Sequence, residues 1–324
     1  MGKTTQRNGG IIGQSKIVKT PMEGSSTMGS GIWSIEEHSA ISQIQGLPYA
    51  ELNSSSQGTT REYTSGGNTY RSHEMTSSGN IIFYAGGSVD FLVHGGGGGG
   101  STGSGGRGGG AGGAREVTNV TVGNDTITCS IGSGGWSNGN QTTVTSNGTF
   151  SDGDGNSRIL SEGGGKAGNQ GGHGYNGGAG GQKGQYNWSG PIDGKPNKQS
   201  TPATTGNNNG VDAEFSGDQG NAPYGYYGGG TSTEGAGNLG FPNTFATGST
   251  QTRGGGGGQG RSYNELQNNS SPHYGSHGGG HGTGGVDNRS GAANMGGGGG
   301  GSDWASSTSG KGGSGVVVVR YKIG

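Results

Sequence analysis

The chain has 324 residues, of which 87 are glycine, 23% are hydrophobic and 12% are charged, with a formal net charge of −1. Its 8 prolines exclude collagen, which needs a strict Gly-X-Y register with abundant proline, and 19 basic residues against 20 acidic ones leave no excess charge for nucleic acid. So little apolar material leaves two options: a floppy chain, or one whose backbone is satisfied with few side chains.

Residues 1–48 differ in character from the rest of the chain. Gly9-Gly10-Ile11-Ile12-Gly13 is a short apolar motif in polar surroundings, and Gly31-Ile32-Trp33 is a second. Ser34-Ile35-Glu36-Glu37 fits a capping box, with serine at the N-cap and glutamate three residues on. Ile35, Ile41 and Ile44 recur near helical spacing until Gly46 and Pro48 stop the helix. One short amphipathic helix after an anchor peptide is too small to fold alone, so its apolar face is expected to dock on a partner. Met1 to Arg7 lacks the apolar core of a signal peptide, and no stretch has the length of a transmembrane helix.

Residues 49–71 are polar and read as a spacer; residues 72–324 read as one glycine-rich domain. A β pattern begins at Ser72, turns at 77–80, resumes over Ile81 to Tyr84 and turns again at Gly86-Gly87. Val89-Asp90-Phe91-Leu92-Val93-His94 then runs straight into Gly95–Gly100. Segments 117–122, 126–131 and 141–145 alternate apolar or β-branched residues with polar ones, the pattern of half-buried strands. The lone Cys129 sits in one of them, and no internal disulfide is possible. After Glu162 come glycine runs at 163–165, 171–172, 177–178, 180–181, 228–230, 254–258, 278–280 and 296–301, without a fixed period. The chain closes on Gly315 and Val316-Val317-Val318-Val319-Arg320-Tyr321.

Two strand-like segments therefore bracket a glycine-punctuated body, and they are expected to pair in one small β-core. The fold class this predicts is mainly β and irregular, with packed polyglycine II helices and long loops. A polyglycine II helix has three residues per turn, a rise of about 3.1 Å and no internal hydrogen bonds. Without Cβ atoms such helices pack backbone to backbone, and N–H and C=O groups bond between neighbours. The opposing cost is the conformational entropy that glycine loses on ordering.

Enzyme motifs fail one by one. Gly163-Gly164-Gly165-Lys166 lacks the serine or threonine and the spacing of a phosphate-binding loop, and no serine forms a strand-to-helix nucleophile elbow. Asp152-Gly153-Asp154-Gly155-Asn156 starts like a calcium loop, but Ser157 and Gly163 stand where glycine and glutamate are required. His273, His277 and His281 recur every four residues, yet Gly278-Gly279-Gly280 forbids a helix that would align them. No catalytic residue, cofactor or metal is expected. Tyr186, Trp188, Tyr224, Tyr226, Tyr227, Phe241 and Phe245 lie between glycine runs, flanked by Asn, Gly and Ser, a composition that makes adaptable binding surfaces.

The bookends resemble the glycine-rich domain of bacteriophage tail-fibre and other virion proteins. The opening Gly9–Gly13 motif followed by Gly31-Ile32-Trp33-Ser34 is similar to N-termini of virion structural proteins from marine, especially cyanobacterial, phages. The tip adhesins of T-even-like long tail fibres are similar in principle, since they use packed polyglycine II helices to present receptor-binding loops. The resemblance implies a non-enzymatic virion protein, made in the host cytoplasm and carried on the tail or particle surface. Ile11, Ile12, Ile32, Trp33 and Ile35 would attach it to other virion proteins. The aromatic loops would meet a host surface glycan or outer-membrane protein, in a homo-oligomer that does not bind nucleic acid. The alternatives are a structural fibre or decoration protein that binds nothing, and a cellular glycine-rich matrix protein.

Overall fold

A computed structural model of the chain describes residues 50–103, 106–146, 158–168, 240–261, 274–275, 277–282, 289–303 and 307–323. The helix expected after Ser34, the residues Ile11, Ile12, Ile32, Trp33 and Ile35, and the glycine runs between 171 and 230 lie outside these. Among the described residues there is no helix. The strands are β1 (Glu51–Leu52), β2 (Thr59–Ser65), β3 (Asn68–Met75), β4 (Gly79–Ala85), β5 (Gly87–His94), β6 (Ala114–Val122), β7 (Thr126–Ser130), β8 (Thr142–Ser146), β9 (Arg158–Ser161), β10 (Phe241–Asn243), β11 (Gln251–Arg253) and β12 (Val316–Lys322).

They form two five-stranded antiparallel sheets, ordered β1-β4-β7-β8-β9 and β2-β3-β12-β5-β6, and the ribbon β10-β11. The expected pairing of the bookends is present: β12 lies beside β5, with Val317 opposite Val93 and Val319 opposite Phe91. Successive strand residues point to opposite faces, so each of these strands serves two layers. Val317, Val319, Tyr321, Phe91 and Val93 face the first sheet and meet Phe83, Ile127, Val144 and Ile159 in the main core. Val316, Val318 and Leu92 point the other way and pack under Phe241, Phe245 and Ala246. Val316 to Val319 are all 0% exposed, which explains an unbroken apolar run in place of alternation.

Residues 49–71 are no spacer. They carry β1, β2 and the start of β3, paired with β4, β3 and β12 respectively. β2 is an edge strand with mostly exposed residues, so it lacks the apolar alternation that marks a strand in sequence. The β domain therefore starts at residue 50.

Beyond the sandwich the strands do not stop. β5 continues into Gly95–Ser101, whose bonds repeat every three residues. Gly95, Gly98 and Ser101 donate N–H to the carbonyls of Gly113, Gly110 and Arg107 at 2.9, 2.8 and 2.8 Å. Gly96 and Gly99 donate to Asn140 and Ser137, and Gly97 and Gly100 to Gly313 and Gly310. The carbonyls of Gly96 and Gly99 accept from Gly164 and Ala167, and those of Gly98 and Ser101 from Gly299 and Ser302. A sheet bonds in two directions with period two. Here one segment bonds five neighbours with period three, the geometry of a polyglycine II helix in a packed array. The same step of three recurs where Gly298 and Gly301 donate to Gly255 and Gly258.

Each layer of the β domain feeds this array. Segments 95–101, 106–113 and 307–315 extend β5, β6 and β12; segments 132–135, 137–141 and 162–168 extend β7, β8 and β9; and 254–261 extends β11. Of the predicted runs, those at 163–165, 254–258, 278–280 and 296–301 lie in the array. A Cβ on any of Gly95 to Gly100 would fall within 3.0 Å of a neighbouring backbone.

Gly97 and Gly135 supply a matched pair for testing this. A Cβ on Gly97 would meet the Gly297 carbonyl within 3.0 Å, whereas on Gly135 the nearest atom is 3.7 Å away. Gly97→Ala is expected to cost about 1–3 kcal/mol by overpacking. Gly135→Ala is expected to stay within about 0.5 kcal/mol of wild type. Equal denaturation midpoints for the two variants would contradict a backbone-packed array.

Candidate functional site

The direction of the chain gives the domain a polarity. Segments following β5, β7, β9 and β11 run outward through the lattice, and those preceding β6, β8 and β12 run back. Reversals therefore gather at the far end, over 101–107 and 136–138. Residues 168, 261, 282 and 303 are the points at which described segments leave the lattice there. The opposite end carries residue 50, packed in the main core, and Ile323, whose N–H donates to the Thr69 carbonyl at 2.8 Å. Residue 50, to which residues 1–49 connect, thus lies at the base, opposite the far end.

Side chains return at the far end. Ser101 Oγ accepts the Arg107 N–H at 2.8 Å and Ser302 Oγ accepts the Gly103 N–H at 2.9 Å, closing the 101–107 reversal. Arg107 Nη1 donates to Gln259 Oε1, and Arg261 Nη2 lies 3.8 Å from Asp303 Oδ2. Trp136 occupies the tip of its reversal, 47% exposed, with Lys311 Nζ 5.3 Å from the ring centroid. Trp136 is missing from the sequence-derived candidates. Its setting, Gly134-Gly135-Trp136-Ser137-Asn138-Gly139, has the same Gly/Ser/Asn flanks that marked the aromatic residues further on.

Of those predicted aromatics, Tyr186, Trp188, Tyr224, Tyr226 and Tyr227 lie outside the described residues. They belong to 169–239, which lies in sequence between residue 168 at the far end and Gly240 beside Arg253 at the joint. Phe241 and Phe245 are each 3% exposed and pack on Leu92, Val316 and Val318, so both are core residues and offer no ring to a receptor. The outer face of the second sheet needed an apolar cover, and these two rings supply it.

Beside Phe245 a cleft of about 270 Å³ is lined by Glu116, Asn243, Thr244, Thr250 and Arg320. Its charges are already committed. Arg320 Nε donates to Asp90 Oδ2 at 2.9 Å, and the guanidinium stacks 3.7 Å from the Phe245 ring centroid and 4.9 Å from that of Tyr70. Asn243 Nδ2 donates to Glu116 Oε2 at 2.8 Å, and burial holds the Glu116 carboxyl above its ordinary range. Tyr63 and Ser72 donate to the carbonyls of Phe245 and Ala246, and Arg253 Nη2 to Glu74 Oε1. The cleft is a latch that fastens 241–253 to the second sheet. Asp90 also accepts the Asn119 N–H at 3.0 Å, at the irregularity where β5 and β6 shift register.

Among the described residues no cluster of His, Cys, Asp and Glu can hold a metal. His281 Nδ1 accepts the Gly275 N–H at 3.2 Å and its ring meets Tyr274 edge-on, while His273 lies outside the described residues. The Cys129 thiol is buried and pushed up to about 12 by desolvation, so it is protonated and inert at neutral pH.

These features define a class: an antiparallel β-sandwich whose strands continue into a polyglycine lattice. The chain belongs to the glycine-rich domain family, whose model matches residues 74–322. No curated protein and no solved structure matches it significantly.

His94 sits where sandwich becomes lattice. It is fully buried, and its Nδ1–H donates to the Gly95 carbonyl at 3.1 Å. A carbonyl only accepts, so Nε2 is a bare acceptor, and it has no partner. The ring is enclosed by Gly254 and Gly296, at φ of 74° and 62°, where any Cβ would strike it. Desolvation, with a smaller contribution from Arg253, lowers the His94 pKa to about 4. A depressed histidine contributes stability that is complete above its unfolded pKa near 6.5 and lost as pH falls toward the folded value. The expected loss is about 3 kcal/mol between pH 6.5 and 4. Glu116 and Glu162, raised by burial, act in the opposite sense at the lower edge of this window, and buried His73 acts in the same sense as His94. The measurement is therefore comparative: His94→Asn is less stable at pH 7 but shows a shallower decline from pH 6.5 to 4 in urea melts. An unchanged slope would remove His94 from this role.

Proposed function

We propose that the protein is a non-enzymatic bacteriophage virion component, of the tail-fibre or adhesin kind, that displays loops for recognition of the host surface. The observation that carries this reading is the polarity of the domain. The segment resembling a virion-attachment sequence precedes residue 50 at the base, and the reversals at 101–107 and 136–138 lie at the opposite end. Family membership and the bookend resemblance support it. Residues 1–48 anchor the chain to another virion protein through Ile11, Ile12, Ile32, Trp33 and Ile35. Tyr186, Trp188, Tyr224, Tyr226 and Tyr227 supply receptor contacts from 169–239. The partner at the far end is a surface glycan or an outer-membrane protein.

The physical advantage is pre-organisation. A lattice held by backbone bonds in several directions gives its reversals little freedom, so less entropy is lost when they bind. Weak single contacts are then multiplied by copy number on the particle.

The purified full chain is expected to block adsorption of virions that carry it. Tyr224, Tyr226 and Tyr227 all changed to Ala should weaken that blocking at least tenfold without moving the melting temperature. Full blocking by the triple variant would remove these tyrosines. No blocking by the unmodified chain would favour a structural fibre or decoration protein.

A further inference from the structure

Among the described residues, the far end brings an exposed indole and two lysines onto adjoining segments. Trp136 has an exposed neighbour on each flank of its reversal in Ser133 and Ser137, and Asn138 comes next. Lys311 lies on one side, in the segment whose Gly312 N–H donates to the Gly135 carbonyl at 3.0 Å, and it is exposed. Lys166 lies on the other side, its N–H donating to Asn138 Oδ1 at 2.8 Å. Every ion pair among the described residues uses an arginine, so neither lysine has a carboxylate there. An indole about half bare, with the Lys311 ammonium over its ring and Lys166 in the segment bonded to Asn138, is therefore held by adjoining lattice segments.

An ordinary surface role would be turn stabilisation. A lysine over an exposed indole modestly stabilises a turn with no ligand at all. That accounts for Lys311 but not for Lys166, nor for leaving so much of the indole exposed. Among the described residues only Tyr84 and Tyr274 are comparably bare large apolar side chains. A rigid aromatic with few rotatable bonds and a firm backbone beneath it is the arrangement that binds at low entropic cost.

We infer that the Trp136 reversal, with Lys166 and Lys311, is a contact site for an anionic polysaccharide. The inference rests on the proposed display function and names the chemistry of the receptor. A sugar ring presents a face of weakly positive C–H bonds, complementary to the negative face of an indole. A carboxylate or phosphate on that sugar pairs with the lysine ammonium groups, which a neutral sugar leaves unused. The pairing is exposed, so it is modest per contact and weakened by salt. A single site should bind in the millimolar range, about 4 kcal/mol, and gain avidity from repetition.

The test uses the immobilised full chain with polygalacturonate as the anionic probe and dextran as the neutral one. Polygalacturonate should be retained and dextran should not, with binding falling at least tenfold between about 0.1 and 1 M salt as the screening length shortens. Trp136→Ala should lose about tenfold or more, Trp136→Tyr should keep most of the binding, and the Lys166→Gln, Lys311→Gln pair should abolish the preference for the anionic probe. Both lysines and Trp136 already carry side chains at lattice-compatible positions, so an unchanged melting temperature certifies each variant as folded. Equal retention of both probes, no retention of either, or indifference to these substitutions would overturn the site. The adsorption assay separates this site from the display function. A chain that blocks adsorption but ignores both polysaccharides, or whose blocking survives periodate but not protease treatment of the cells, overturns this site and leaves display standing. A chain that binds polygalacturonate through Trp136 yet blocks nothing upholds the site and overturns display.

Discussion

Everything in this domain depends on the closeness with which one backbone can approach another when no Cβ stands between them. Gly95 to Gly100 bond to neighbours on several sides, and each has a carbonyl where a side chain would begin. A β-strand spends its N–H and C=O groups in one plane and must cover both faces with side chains. A three-residue repeat spends them around the axis, so the segments satisfy one another and need little apolar cover. That is how a chain with 23% hydrophobic residues forms an ordered interior. The entropy given up by so many glycines is offset by bonds in place of buried area.

The sandwich makes the lattice possible. An array of glycine segments has no register of its own, because each step of three looks like the last. Here the segments inherit register from the strands they continue. β5 and β12 are fixed by side chains on both faces, with Val316 to Val319 fully buried, and 95–101 and 307–315 leave them already adjacent. The ribbon β10-β11 is fastened by Arg320, Asp90, Glu116 and Asn243, and it delivers 254–261 as a further layer. His94 closes the joint, filling the space between two glycines in the left-handed region. Polar residues that look like a binding cleft serve this assembly, and so do Phe241 and Phe245.

Chain direction then sets what lies at each end. Strands alternate in sense, so outward and returning segments alternate too; the reversals at 101–107 and 136–138 lie at the far end, and the turn at 293–296 lies at the joint beside His94. The base carries Ala50 and Ile323. The far end offers side chains where the lattice ends, and the charge there is set by which residues interrupt the glycines. Among the described residues there, Trp136 is about half exposed with Lys311 over its ring.

The sequence alone determined the mainly β class, the pairing of the two bookends and the ordering of several glycine runs, because these depend on local density of apolar residues and on the absence of Cβ atoms. It did not reveal β2, whose residues are polar on both faces of an edge, nor the split of β4 and β5 between two sheets, since hairpins and crossovers share the same turn signals. Phe241 and Phe245 looked like loop aromatics because their flanks are polar. Only the tertiary structure showed that an outer sheet face needed them. Trp136 shares the Gly/Ser/Asn flanks of the other loop aromatics, but its exposure and the Lys311 ammonium over its ring depend on segments far apart in sequence, brought side by side by backbone bonds that carry no residue-specific signature.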